Sequence, residues 1–275
     1  MTESLLEVRD LVVEYARPGK PRLRAVDGVS FTLTEGATLG IVGESGCGKS
    51  SLARAILQLE EHAGSVNLLG ANLEKMKSRE LRSARRQMQA VFQDPLASLN
   101  PRMTVTRILE EPLRVHCPQQ NATQRHETAL ETLRRVGLDT DLASSYPHEL
   151  SGGQCQRVGI ARAIICEPRL LVCDEPVSAL DTSIRGQILG LLATLRRDLG
   201  IGMIFIAHDM TAVRYLCDEV MVMHDGRIVE FAPRDVIFES PKHPYTRELL
   251  EAVLPPDPRT QPERDSSQHI PGEAS

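Results

Sequence analysis

The sequence predicts an α/β fold with a mainly parallel sheet, an N-terminal antiparallel β subdomain and a helical subdomain. A short apolar run, Leu39–Val42, enters a Gly-rich loop, and Leu52, Ile56 and Leu59 then recur at helical spacing. Buried-type runs return at Leu170–Cys173 and Met203–Ala207, separated by a helical stretch at 183–198. Strands alternating with helices pair in parallel. Between these halves, residues from about 104 to 165 are mainly helical in pattern, with breaks near Pro118 and Pro147.

The elements follow in order. Leu6, Val8, Leu11, Val13 and Tyr15 alternate with polar residues, as a half-buried strand does. A loop rich in Pro, Gly and basic residues is expected over Arg17–Arg24. Residues 29–35 alternate again, and Glu35-Gly36 marks a turn. Residues 66–69 and 88–92 read as further strands. Val220–Met223, Asp225-Gly226 and Arg227–Glu230 read as a hairpin with an Asp-Gly turn. Short helices are expected near 233–239 and 246–253, and a disordered Pro-rich tail over 255–275. There is no internal repeat and no long heptad stretch.

Composition narrows the function. The 275 residues suit one large domain with a subdomain and tail. Aromatics are 3 % and Trp is absent, so the core must be aliphatic. A net charge of −5 argues against a general nucleic-acid binder, because phosphate affinity comes chiefly from Lys and Arg. The densest basic cluster, Arg79–Arg86, reads as a solvated helix face. Six cysteines, at 47, 117, 155, 166, 173 and 217, form no CxxC pair. That spacing disfavours a disulfide framework or a zinc site and suits a reducing cytosol. The N-terminus has no signal-peptide pattern, and no run approaches the roughly 20 apolar residues of a spanning helix. Any membrane role is therefore expected to run through partners.

Residues 43–50 read G-E-S-G-C-G-K-S, a full GxxxxGK[ST] match in strand–loop–helix context. Gly43, Gly46 and Gly48, with Glu44, Ser45 and Cys47 between them, let backbone amides turn inward around a phosphate. The following helix presents its positive end to the same charge. Lys49 is expected to reach the β- and γ-phosphates and Ser50 to place its hydroxyl on Mg²⁺. Ser51 extends the nucleotide contacts. In LLVCDE (170–175) a buried strand delivers Asp174 as a Mg²⁺ partner and Glu175 as general base for the attacking water. The fold expected is thus a P-loop NTPase core binding ATP and Mg²⁺.

Leu150-Ser151-Gly152-Gly153-Gln154 then narrows the choice among NTPases. This LSGGQ stretch resembles the signature of the ATP-binding cassette (ABC) family letter for letter. Tyr15, Gln93 in VFQDP, SALD at Ser178–Asp181 and His208 in IAHD stand in the family's order. The resemblance spans roughly residues 5–230. It implies that Tyr15 stacks on adenine and that Gln93 senses Mg²⁺ and the attacking water. It also implies that His208 contacts the γ-phosphate beside Glu175, and that Asp181 meets the opposite subunit. Ser151, Gly152, Gly153 and Gln154 would form a second anion nest that closes over the γ-phosphate of a partner cassette. Cys155 stands where a polar or longer side chain is usual. It is expected near the dimer interface, with an oxidation liability if its thiol is exposed.

VFQDPLASLNPRMTV (91–105) and SPKHPYTRELLEAVLP (240–255) resemble importers of oligopeptides, dipeptides and nickel. That branch implies an ATP-binding domain over 5–254, a helical subdomain at about 94–165 and a C-terminal segment at about 231–255. Its partners would be two membrane-spanning permeases, a second cassette (identical or paralogous) and an extracytoplasmic binding protein. The location implied is the cytoplasmic face of the membrane. An exporter cassette and a DNA- or ribosome-acting ABC protein are the alternatives within the family. The missing coiled-coil insertion and the single set of motifs argue against the last two, and LSGGQ argues against a P-loop kinase or GTPase. No residue here encodes the cargo, which a cassette does not touch.

Overall fold

The computed structural model describes residues 4–253. The tail expected over 255–275 lies outside the described residues. The chain opens with a long hairpin, β1 (Ser4–Arg17) and β2 (Lys20–Thr34), paired antiparallel. The expected loop over Arg17–Arg24 is largely absent: β2 begins at Lys20, and Leu23 already pairs with Tyr15. Pro21 is tolerated because β2 lies at the edge of its sheet, where a missing N–H breaks no ladder. Glu14 and Asp27 pair with Arg24 across and along this ribbon, so its charges are neutralised in place.

Next come β3 (Thr38–Val42), buried along its whole length, and α1 (Lys49–Ile56). Leu59, expected on that helix, falls beyond it and is 55 % exposed. Gln58 ends the helix with a left-handed φ of 57°. β4 (Ala63–Leu68) and β5 (Ala71–Asn72) complete a four-stranded antiparallel sheet in the order β2-β1-β4-β5. The basic cluster lies on α2 (Ser78–Gln87), which has no fully buried residue.

After β6 (Met88–Val91) the chain enters its helical part. This comprises α3 (Pro95–Ser98), α4 (Val105–His116), α5 (Ala122–Arg135) and α6 (Gly152–Ile164). The expected breaks at Pro118 and Pro147 fall in connections, but Pro112 sits inside α4 without ending it. The remainder alternates: β7 (Leu170–Asp174), α7 (Thr182–Leu199), β8 (Gly202–Ile206), α8 (Met210–Leu216) and β9 (Glu219–His224). β10 (Arg227–Pro233), α9 (Arg234–Glu239) and α10 (Pro244–Val253) follow. The short α8 has no counterpart in the sequence reading.

The second sheet runs β10-β9-β3-β8-β7-β6, parallel except for β10. It is buried on both faces, as parallel sheets are. Leu171, Cys173, Met203 and Phe205 point into the core shared with α4–α7. Leu170, Val172, Ile204 and Ile206 point into the core beneath α1 and the antiparallel sheet. Each such aliphatic side chain contributes roughly 1.5–3 kcal/mol of burial. Two cores clamp one sheet, so the carboxyl ends of β3, β8 and β7 are held rigidly side by side. In open α/β sheets the ligand crevice lies at those ends.

Candidate nucleotide site

The loop after β3 is shaped by its glycines. Gly43 has φ +148°, and a Cβ there would lie 2.2 Å from the Met223 carbonyl oxygen. Gly48 has φ +106°, and a Cβ would lie 2.0 Å from the Ala25 carbonyl oxygen. A side chain at either position would push the loop off β9 or β2. Gly48 also caps α1 without a side-chain bond, which leaves the first helical amides available to an anion. Lys49 is 4 % exposed and donates to the carbonyls of Gly43 at 2.7 Å and Glu44 at 2.8 Å. Glu44, Ser45 and Gly46 form the exposed lip of the loop; Cys47 is buried.

The residues expected at the reacting centre come together across the strand ends. Ser50 Oγ donates to Asp174 Oδ1 at 3.0 Å. Burial raises the Asp174 carboxyl above the usual carboxylate range; the Ser50 bond opposes this, and Glu175 adds to it. Such a half-buried carboxylate beside a hydroxyl is a hard oxygen set in need of positive charge, and it fits Mg²⁺. Gln93 Nε2 donates to Glu175 Oε2 at 3.0 Å, so its amide oxygen is the atom left for a cation. His208 Nε2 lies 2.5 Å from Glu175 Oε1. Glu175 itself has φ 51°, an uncommon left-handed conformation for a non-glycine residue. Tyr15, half-buried, donates from its hydroxyl to Ser51 Oγ at 3.1 Å. Tyr15, Lys49, Ser50, Gln93, Glu175 and His208 all line one open cavity of about 340 Å³.

The LSGGQ residues do not line that cavity. Ser151 caps α6, accepting from the Gln154 amide, while Gln154 Oε1 accepts from the Ser151 amide at 2.8 Å. This reciprocal capping box accounts locally for Ser151 and Gln154. Gly153 is packed against α7: a Cβ would meet Ile184 Cγ2 at 2.8 Å. Ser151 and Gly152 remain exposed at the helix N-terminus, and Asp181 is exposed at the start of α7. Cys155 requires a correction. It is fully buried, its thiol donates to the Pro147 carbonyl, and burial raises its pKa. It therefore carries no exposed thiol and no ready oxidation liability.

Sequence reasoning did not single out Leu23 and Ala25, which β2 brings to the cavity wall. It also missed Tyr245, whose hydroxyl accepts from the Glu44 amide at 2.9 Å. HPYT marked the segment, but nothing in its spacing pointed to the loop.

With this geometry in place, the comparisons decide the family. The sequence model described as ABC transporter matches residues 26–178. The chain belongs to the ABC transporter family. A second model, "Oligopeptide/dipeptide transporter, C-terminal region", matches residues 229–275. The oligopeptide transport ATP-binding protein OppF of Escherichia coli (strain K12) is 51 % identical over 92 % of this chain and 79 % of its own. OppF of Bacillus subtilis (strain 168) is 47 % identical over 94 % of this chain and 85 % of its own. A solved dimer of an ATP-binding cassette in a post-hydrolysis state, bound to ADP and Pi, is 28 % identical with a TM-score of 0.76. It covers 83 % of this chain and 98 % of its own. This ABC protein is an ATPase, and its fold is the P-loop NTPase α/β fold that the sequence predicted. Among the described residues, no helix is long and apolar enough to cross a membrane.

Proposed function

We propose that this chain energises the uptake of oligopeptides or dipeptides through partner permeases. The observation that carries the reading is the C-terminal region, whose 229–275 match is the peptide-transporter type rather than a general cassette feature. In this reading residues 5–254 are the ATP-binding domain, with a helical subdomain at about 94–165 and the peptide-type segment at about 231–255. The loop amides from Gly43 to Ser51 and the Lys49 ammonium hold the phosphates, and Tyr15 packs on the adenine. Ser50, Asp174 and the Gln93 amide oxygen hold Mg²⁺, which supplies neutralisation of phosphate charge.

Glu175 takes a proton from the attacking water, and His208 and Gln93 fix its two oxygens. The exposed start of α6, Ser151-Gly152, serves the γ-phosphate of a second cassette, which returns the same group to this one. A loop half and a signature half are both intact, so this chain is competent on either side of such a dimer. ATP closes the pair, and phosphate release reopens it; this moves the permeases, which receive substrate from an extracytoplasmic binding protein. The protein sits peripherally on the cytoplasmic face of the membrane and makes no use of nucleic acid.

The test is purification of the tagged chain from detergent-solubilised membranes of its source organism. Two multi-spanning permeases and a second cassette should come with it, and added peptide with its binding protein should stimulate ATP hydrolysis. Recovery with ribosomes or DNA-repair proteins and no permease would overturn the transport assignment.

A further inference from the structure

We propose that Tyr245 is a positioning residue for the phosphate loop: it fixes the Gly43–Glu44 peptide group whose carbonyl holds the Lys49 ammonium. The inference rests on the nucleotide-binding reading above. It adds a residue outside every nucleotide motif.

One peptide group is engaged at both ends. Its N–H, on Glu44, donates to the Tyr245 hydroxyl at 2.9 Å. Its carbonyl, on Gly43, accepts from Lys49 Nζ at 2.7 Å. Each bond polarises the amide so as to strengthen the other. A Cβ at Gly43 would lie 2.2 Å from the Met223 carbonyl oxygen, so the backbone there runs close against β9. Within the loop the Glu44 carbonyl accepts from Lys49 Nζ at 2.8 Å, and the Tyr245 hydroxyl holds the amide of the same residue from outside the loop.

Tyr245 is itself built in. It is 8 % exposed, and its ring packs on His224 with centroids 4.1 Å apart. The start of α10 is tied to β10: Glu230 accepts from the amides of Lys242 at 2.8 Å and His243 at 3.0 Å. His243 Nδ1 then accepts from the Tyr245 amide at 3.2 Å. Burial raises the Tyr245 phenol above its ordinary value. The β9–β10 turn grips the loop from a second side, Gly226 N–H donating to the Cys47 carbonyl at 3.0 Å. The peptide-type C-terminal segment thus contributes one hydroxyl that braces the phosphate loop, and that single hydrogen bond is coupled to ATP affinity by preorganisation.

The test compares full-length wild type with Tyr245→Phe, which keeps the ring and removes only the hydroxyl. Leu250→Ala is the control: it loosens α10 through an apolar contact remote from the loop. Fluorescent-ATP titration with Mg²⁺ should give about threefold to tenfold weaker binding for Tyr245→Phe, the range of one neutral hydrogen bond. Amide hydrogen exchange across 43–47 should rise in that variant. In the assembled transporter KM for ATP should rise by the same factor while kcat holds. Leu250→Ala should melt at lower temperature with unchanged affinity at 25 °C. The proposal is overturned if Tyr245→Phe binds within twofold of wild type with unchanged loop exchange. It is equally overturned if Leu250→Ala loses as much affinity, because docking alone would then account for the effect. Failure of the wild-type chain itself to bind ATP would instead overturn the nucleotide assignment beneath it.

Discussion

Glu175→Gln separates chemistry from binding. Glu175 stands one residue beyond β7 in a left-handed conformation, φ 51°. Its amide donates to the Ile206 carbonyl at 3.0 Å, and its carbonyl accepts from Ser178 Oγ at 3.0 Å. A glutamine inherits all of this backbone support. The side chain changes in one respect. The carboxylate offers Oε2 to Gln93 at 3.0 Å and Oε1 to His208 at 2.5 Å. An amide keeps one acceptor and places an NH₂ group at the other, so one of the two contacts is lost. That costs about 1.5–3 kcal/mol for a charge-assisted bond, small against the roughly 5–15 kcal/mol of a folded domain. The variant should fold. Lys49 and the loop amides are untouched, so ATP binding should stay within about threefold of wild type, a shift of less than the ~1.4 kcal/mol that a tenfold change requires. Loss of a general base lowers turnover by about 10²–10⁴, or roughly 2.7–5.4 kcal/mol of barrier. Phosphate release at saturating ATP and Mg²⁺, with the second cassette supplied, measures the loss. Sizing columns should show closed dimers accumulating. Turnover within tenfold of wild type would refute the role of Glu175, and monomers at saturating ATP would refute the shared site.

Lys49→Ala removes the ammonium that bridges the loop carbonyls and should abolish nucleotide binding or turnover; wild-type turnover would remove Lys49 from the site. Ser151→Arg in one subunit of a mixed dimer should impair hydrolysis at the partner's loop while sparing its own, and an unchanged partner rate would sink the trans assignment. Burial alone would raise the Glu230 carboxyl. The amides of Lys242 and His243, the His243 ring and the Thr246 hydroxyl, which lies close but off hydrogen-bonding geometry, together hold it below its ordinary value. Its stabilisation is therefore present above the ordinary carboxylate pKa and lost as pH falls through the lowered one. The difference in melting temperature between wild type and Glu230→Gln should shrink from pH 6 toward pH 3, and a constant difference would remove Glu230 from the acid response.

Legibility followed the range of the forces involved. The loop at 43–50 and the acidic pair at 174–175 were readable because each motif is contiguous and sits at a strand end, so local pattern specifies local geometry. The parallel sheet was readable from its apolar runs. Three features were hidden for physical reasons. β2 starts early because an edge strand forgives Pro21, which sequence propensity counts as a loop signal. α8 has only 7 residues, too few for a helical period to declare itself. Leu59 continues the apolar spacing of α1, but the left-handed Gln58 had already ended the helix. Tyr245 was hidden most deeply, because its contact with Glu44 spans 201 residues of sequence.

The signature motif shows where one-chain physics stops. Ser151 and Gln154 are accounted for by the capping box, and Gly153 by the close approach of Ile184. Gly152 is not accounted for in that way. It is exposed, and a Cβ there would meet its nearest neighbour, Leu180 Cδ2, only at 3.9 Å, an ordinary contact. Folding alone would accept alanine at this first helical position. A glycine that the fold does not require fits the proposed role of α6, in which a group approaches from outside. An anion held against the first amides of α6 would need the space that a methyl group would fill. Gly152→Ala should therefore leave the melting temperature unchanged and still impair hydrolysis at the partner's loop. An equally stable variant with a fully active partner would show that the exposed start of α6 has no role beyond its own helix.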